Sequence, residues 1–140
     1  SDYLEELVTY LSDFGVGFYQ KTDIKFQVTK SIEHNQKLPY YWCKQLIYIY
    51  KEAMTNALKY SQADNVTLKF EYVNNHLEIT CIDDGIGIDT EKMRSKNGLS
   101  HMKKRAEKID SKLLIESKPN KGTAIIFKGK IDQTKSQVII

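Results

Sequence analysis

"CIDDGIGID", residues 81–89, ends an alternating apolar run with two carboxylates and two glycines, and the way that run ends decides how the chain is read. Within "HLEITCID" (76–83), Leu77, Ile79 and Cys81 share one parity and Asp83 continues it, so these four side chains point to one face of a strand. Three of the four are apolar, which makes that face the buried one. A carboxylate there is costly unless a donor meets it. No basic residue nearby in sequence supplies the donor, so a ligand amine is a reasonable one. Gly85 and Gly87 let the backbone turn sharply and pass close to whatever Asp83 holds. The plainer alternative is a surface turn in which Asp83 and Asp84 cap the end of the strand.

Working outward, "NVTLKFEYV" (65–73) alternates in the same way, and Asn74-Asn75 between the two runs is a two-residue hairpin signal. Upstream, residues from about 41 to 60 lack glycine and proline and have a clear helical period, with Pro39 suited to the first turn of that helix. "IKFQVT" reads as a short strand, and "DYLEELVTYLSDFGVGFYQ" as a helix that fails near Gly15 or Gly17. Downstream, residues 84–98 are polar and glycine-bearing. A basic helix, "GLSHMKKRAEKI", follows, and a second hairpin joins "SKLLIES" to "TAIIFKGKI" through "KPNKG". The order predicts an α+β fold: a two-layer sandwich with a mixed, mostly antiparallel sheet covered on one face by helices. Residues 1–140 read as one domain, with an N-terminal helix over 1–20 and an unassigned tail over 132–140.

Composition agrees with that reading. The chain is 41% hydrophobic and 28% charged over 140 residues, enough for one core. No apolar run approaches the roughly 20 residues that span a bilayer, so neither membrane contact nor a location other than the cytoplasm is expected of this domain. The net charge of +3 is spread over scattered lysines, which argues against a nucleic-acid partner but suits an anionic small ligand. Cys43 and Cys81 stand apart in apolar settings and read as reduced core thiols.

The long helix carries a second chemical clue. Leu46, Ile49, Tyr50, Ala53, Ala57 and Tyr60 fall on one stripe that should pack on the sheet. Beside it lie Glu52, Asn56 and Lys59, spaced four and three and so stacked within about 60° of arc. This is either a solvated ladder or the edge of a pocket. A carboxylate, an amide oxygen and an ammonium in a row suit magnesium with phosphates, because Mg²⁺ takes hard oxygen ligands and keeps several waters.

Four stretches, "KEAMTNALKYS", "DDGIGI", "NGLSHMKKRA" and "GTAIIF", resemble in order and spacing the N box and three glycine boxes of the histidine-kinase ATP-binding domain. That domain shares its superfamily with gyrase, MutL and the large heat-shock chaperones. The resemblance spans about residues 24–131 and is nearest to sensor kinases paired with NarL-type response regulators. It implies ATP and Mg²⁺ as cofactors. At matching positions, Asn56 is the N-box residue implied to bind Mg²⁺, Glu52 the acidic residue that polarises the attacking group or orients a water, and Lys59 a neighbour of the phosphates. Asp83 takes a hydrogen bond from the adenine amino group, and Gly85 and Gly87 shape the turn beside it. Gly98 and Leu99 close over the phosphates at a helix start, where N–H groups favour anions. Gly122 and Thr123 match the third glycine box, Thr123 as a second contact near adenine.

Two positions depart from the family pattern. Lys96 stands where the second glycine box has its first glycine; it either adds a phosphate contact or spoils a backbone conformation that needs positive φ. Tyr60 stands where relatives often carry histidine. The implied partners are a histidine-bearing dimerisation domain, in this polypeptide or another, and a downstream response regulator. His34, His76 and His101 have no phosphoacceptor setting, so this chain reads as the catalytic part alone and as a monomer. Two alternatives carry the same boxes: a serine kinase of the anti-sigma-factor type, and a nucleotide-binding module without catalysis.

Overall fold

The computed structural model describes residues 2–88 and 98–132. In these, α1 (Leu4–Tyr19), β1 (Lys25–Ile32), α2 (Trp42–Tyr60), β2 (Asn65–Val73), β3 (His76–Asp83), α3 (Gly98–Glu107), β4 (Lys112–Ser117) and β5 (Thr123–Lys130) follow one another. The strands form one sheet in the order β1-β2-β3-β5-β4. β1 runs parallel to β2, and the other neighbours are antiparallel. The architecture is α+β, with a mixed sheet and helices packed on one face.

Period-two alternation decides which face the helices cover. Val66, Leu68, Phe70 and Tyr72 of β2 are fully buried and lie opposite Asp83, Cys81, Ile79 and Leu77 of β3. Ile125 and Phe127 of β5 extend the same rows. Between β2 and β3, Asn74 and Asn75 both have positive φ (50° and 64°), as the two-residue turn requires. The opposite face carries Lys69, Glu71, Glu78 and Lys128, with Ile82 and Leu114 well exposed among them.

α2 lies against this sheet through Leu46, Ile49, Tyr50, Ala53 and Ala57, as its period predicts. Tyr60 departs from the expected stripe: it is 38% exposed at the last turn, where the helix has run past the packed surface. Pro39 is not in the first turn either. The helix begins at Trp42, whose N–H donates to the Pro39 carbonyl, and Tyr41 before it adopts the left-handed conformation. α1 runs unbroken through Gly15 and Gly17, against expectation. A side-chain carbon at Gly15 would lie 2.3 Å from the Phe26 ring, so this glycine lets α1 approach β1 instead of ending the helix.

Tyr50 fastens α2 to the sheet. Its hydroxyl, fully buried, donates to the Ile79 carbonyl of β3 and accepts from the Phe127 N–H of β5 at 2.9 Å. Burial pushes its titration well above the ordinary tyrosine range, so the donor proton is retained at any working pH. Tyr50→Phe should therefore leave two buried backbone groups short of a partner and destabilise the chain by about 1–3 kcal/mol. Urea unfolding of the two proteins side by side measures this, and an unchanged midpoint would contradict it.

Candidate functional site

Of the residues singled out in the sequence, those described lie on the C-terminal half of α2, at and just after the end of β3, at the start of β5 and at the start of α3. Asp83 is only 8% exposed and sits on the helix-covered face, as its parity predicts. Its Oδ1 accepts from the Gly85 N–H at 2.9 Å. Burial raises its carboxyl above the ordinary value of 3.8, against the lowering effect of N–H donors from Gly85 and Thr123. Thr123, directly opposite on β5, is buried, and its Oγ1 lies 3.0 Å from Ser117 Oγ.

The neighbouring aspartate behaves differently. Asp84 is exposed and accepts from the N–H groups of Asp64 and Asn65, both at 2.9 Å, and from Asn65 Nδ2 at 2.8 Å. These donors, the Asn65 side chain foremost, hold its carboxyl below the ordinary range. Asp84 thus caps the start of β2, while Asp83 caps its own turn through the Gly85 N–H. Asp83 faces inward without a cationic partner among the described residues.

Close backbone approach explains the glycines. A side-chain carbon at Gly85 would lie 2.0 Å from the Ser61 carbonyl, which accepts from the Ile86 N–H at 2.8 Å. Gly122 has φ +82° and would place such a carbon 2.0 Å from the Asp83 carbonyl. Gly87 also has positive φ and abuts the Lys118 carbonyl. The Asp83 turn is therefore held between the end of α2 and the β4–β5 connection. Ser61 and Ser117, whose Oγ accepts from the Ile88 N–H at 2.7 Å, complete that hold. Neither serine stood out in the sequence, although Ser61 closes the "KEAMTNALKYS" stretch and Ser117 ends "SKLLIES".

On α2, Glu52 and Asn56 face the first residue of α3. A side-chain carbon at Gly98 would lie 3.0 Å from Glu52 Oε1 and 3.5 Å from Asn56 Nδ2. Asn56 Nδ2 is buried and, among the described residues, has no hydrogen-bond partner. Leu99 is half-buried in the first turn of α3, and Lys59 is exposed one turn beyond Asn56. Lys96 lies outside the described residues, as does the expected tail beyond residue 132.

Residues 44–133 match the family described as Histidine kinase-, DNA gyrase B-, and HSP90-like ATPase. The chain belongs to this ATPase family. The domain is 32% identical over 122 residues to the signal transduction histidine-protein kinase/phosphatase DegS of Brevibacillus brevis, covering 86% of this chain and 31% of that protein. It is 30% identical over 112 residues to DegS of Bacillus subtilis, covering 77% of this chain and 29% of that protein. The ATPase-family domain thus spans about a third of these relatives. The histidine kinase domain of the Erythrobacter litoralis EL346 blue-light activated histidine kinase superposes with a TM-score of 0.75 at 21% identity, covering 92% of this chain and 63% of that one, a likeness of fold.

The residues present fit a nucleotide of the family's kind. The half-desolvated Asp83 carboxylate has two N–H donors and room in its lone pairs for another, and the buried amide N–H of Asn56 has no acceptor among the described residues. Among the described residues no group of three or more His, Cys, Asp or Glu could hold a metal by itself. Cys81, next to this site, is a free thiol pushed up to about 12 by burial, with Asp83's charge adding to the effect, and it stays protonated. Among the described residues, no helix is long and apolar enough to cross a membrane.

Because the folded pKa of Asp83 lies above its unfolded one, the ionised form is disfavoured by folding. The ligand-free domain is thus expected to lose stability as pH rises from 3.8 through the raised pKa. Asp83→Asn removes the desolvated charge while its one amide oxygen can still accept from the Gly85 N–H. Its melting temperature should equal or exceed that of the parent at pH 8, with the advantage vanishing in acid, as scanning calorimetry at two pH values would show.

Proposed function

We propose that this chain is the ATP-binding catalytic domain of a two-component sensor histidine kinase, with its family-like core at about residues 24–131. What supports the proposal is a buried carboxylate at Asp83 and a buried amide N–H without an acceptor at Asn56, both at motif positions in a chain of this family. In this reading Asp83 accepts from the adenine amino group and Thr123 supports it. Gly85 and Gly87 keep the turn open to the base, and Gly98 and Leu99 present backbone N–H groups to the phosphates, with Lys96 and Lys59 adding positive charge. Asn56 holds Mg²⁺ through its amide oxygen and donates its free N–H to a phosphate oxygen. When bound, Mg²⁺ supplies neutralisation of the phosphate charge. Glu52, one turn away, polarises the incoming imidazole. The protein's contribution is mainly positioning and electrostatics, as expected for phosphoryl transfer.

The γ-phosphoryl acceptor is a histidine on a separate dimerisation domain. The histidines of this chain have ordinary surroundings: His34 Nε2 pairs with Gln36 Oε1 at 3.0 Å, His76 Nδ1 lies 2.8 Å from the Asn74 carbonyl, and His101 is exposed on α3. The downstream partner is a response regulator, and the domain works in the cytoplasm as a monomer apart from its dimerisation domain. The relatives favour this reading over the serine-kinase alternative.

Calorimetric titration with ADP and a non-hydrolysable ATP analogue, with and without Mg²⁺, tests the assignment. Asp83→Asn should weaken both nucleotides about tenfold or more even without metal, since it replaces an acceptor-only carboxylate by an amide. Asn56→Ala should mainly abolish the dependence on Mg²⁺. For the parent, affinity should fall as pH drops through the raised Asp83 pKa, and Asp83→Asn should lack that dependence. Supplying a histidine-bearing dimerisation domain should then yield acid-labile phosphohistidine. A parent chain that binds neither nucleotide at millimolar concentration would refute the proposal.

A further inference from the structure

The two helices that bound the phosphate end of the site lie antiparallel and touch at both ends. At one end Gly98, the first residue of α3, abuts Glu52 and Asn56 of α2. At the other end, seven residues and so about 10 Å along α3, Arg105 reaches back to the N-terminal half of α2. Its Nη1 donates to Gln45 Oε1 at 3.1 Å, and its guanidinium lies over the Tyr48 ring, 4.2 Å from the centroid. Gln45 is only 7% exposed, so its amide oxygen is an acceptor held off from solvent, where a charge-assisted hydrogen bond is stronger than on an open surface. The planar guanidinium lies over Tyr48 while it donates to Gln45, and an ammonium lacks that flat face.

Between those ends α3 seats Met102 and Ala106 in the core, with Leu99 packed against it. It is 10 residues long, and besides Gly98 only Met102 and Ala106 are buried. A helix of this length is marginal alone, so its orientation depends on what it touches. We propose that Arg105 is a positioning residue: by clamping the far end of α3 to Gln45 and Tyr48, it keeps the Gly98 end against Glu52 and Asn56, where the nucleotide phosphates are bound. This rests on the nucleotide reading above for its ligand, but the clamp itself is a property of the nucleotide-free chain. Asp83, which belongs to β3, is outside its reach.

Two measurements separate this from a merely structural role. In the nucleotide-free chain, Arg105→Ala should speed amide hydrogen exchange at Met102 to Ala106 about tenfold, the worth of one hydrogen bond to a charged group, while amides of β2 and β3 keep their rates. Arg105→Lys should fall between the two, because it keeps the charge and loses the stacked fork. Gln45→Met, which removes the acceptor and leaves Arg105 in place, should move exchange in the same direction and serves if Arg105→Ala does not fold. In titrations, Arg105→Ala should weaken a non-hydrolysable ATP analogue by about 3- to 10-fold, the effect of misaligning a helix N-terminus against an anion, with adenosine affinity unchanged. Unaltered exchange at Met102 to Ala106, or an equal rise throughout the sheet, would overturn the clamp, as would a loss for adenosine equal to that for the triphosphate. A parent chain that binds no nucleotide would instead overturn the nucleotide reading, and the exchange data would still decide the clamp.

Discussion

The buried hydroxyl of Tyr50 is the constraint on which the remainder of the molecule depends. It joins α2 to two strands at once, at the facing pair Ile79 and Phe127. One helical turn beyond it, Ala53 and Met54 are buried, and one turn further Ala57 is in contact with the same surface, small enough for the helix to stay close. The distance between the polar flank of α2 and the end of β3 follows from that seating. Glu52 and Asn56 are held relative to Asp83 because the helix that carries them is pinned to the strand that carries Asp83.

Asp83 and Asp84 show how strongly surroundings divide identical side chains. Adjacent residues on a strand point to opposite faces, so one carboxylate enters the space beneath α2 and the other meets solvent and the start of β2. The first is disfavoured as an anion by burial, and the second is favoured as one by three N–H donors. The desolvation of Asp83 is a cost to the fold. That cost is offset when a bound donor replaces lost water, and so part of the binding energy of a ligand is the relief of a strain already present.

Much of this was legible from residue order alone. Alternation placed Leu77, Ile79, Cys81 and Asp83 on one buried face, and the Asn74-Asn75 turn and the packed stripe of α2 followed from periods of 2 and 3.6. Local rules failed where tertiary contact reversed their sense. Gly15 reads as a helix breaker, yet the ring of Phe26 occupies the space its missing side chain leaves. Pro39 reads as a helix start, but Tyr41 turns into the left-handed region and delays it. Ser61, Ser117 and Gln45 gave no signal, because each matters through a partner distant in the chain: Ile86, Ile88 and Arg105. The parallel pairing of β1 with β2, across the whole of α2, was likewise invisible to spacing.

The strand order has a bearing on biosynthesis. β5 is made after β4 yet lies between β3 and β4, beside Asp83 through Thr123. While a ribosome has delivered only the residues through β4, the hydrogen-bonding edge of β3 is open, and Gly122 is not yet there to close on the Asp83 carbonyl. A nascent chain can therefore build α1, α2 and the β1–β3 layer, but not the pocket. Among the described strands, the one that faces Asp83 through Thr123 is thus the last to be made.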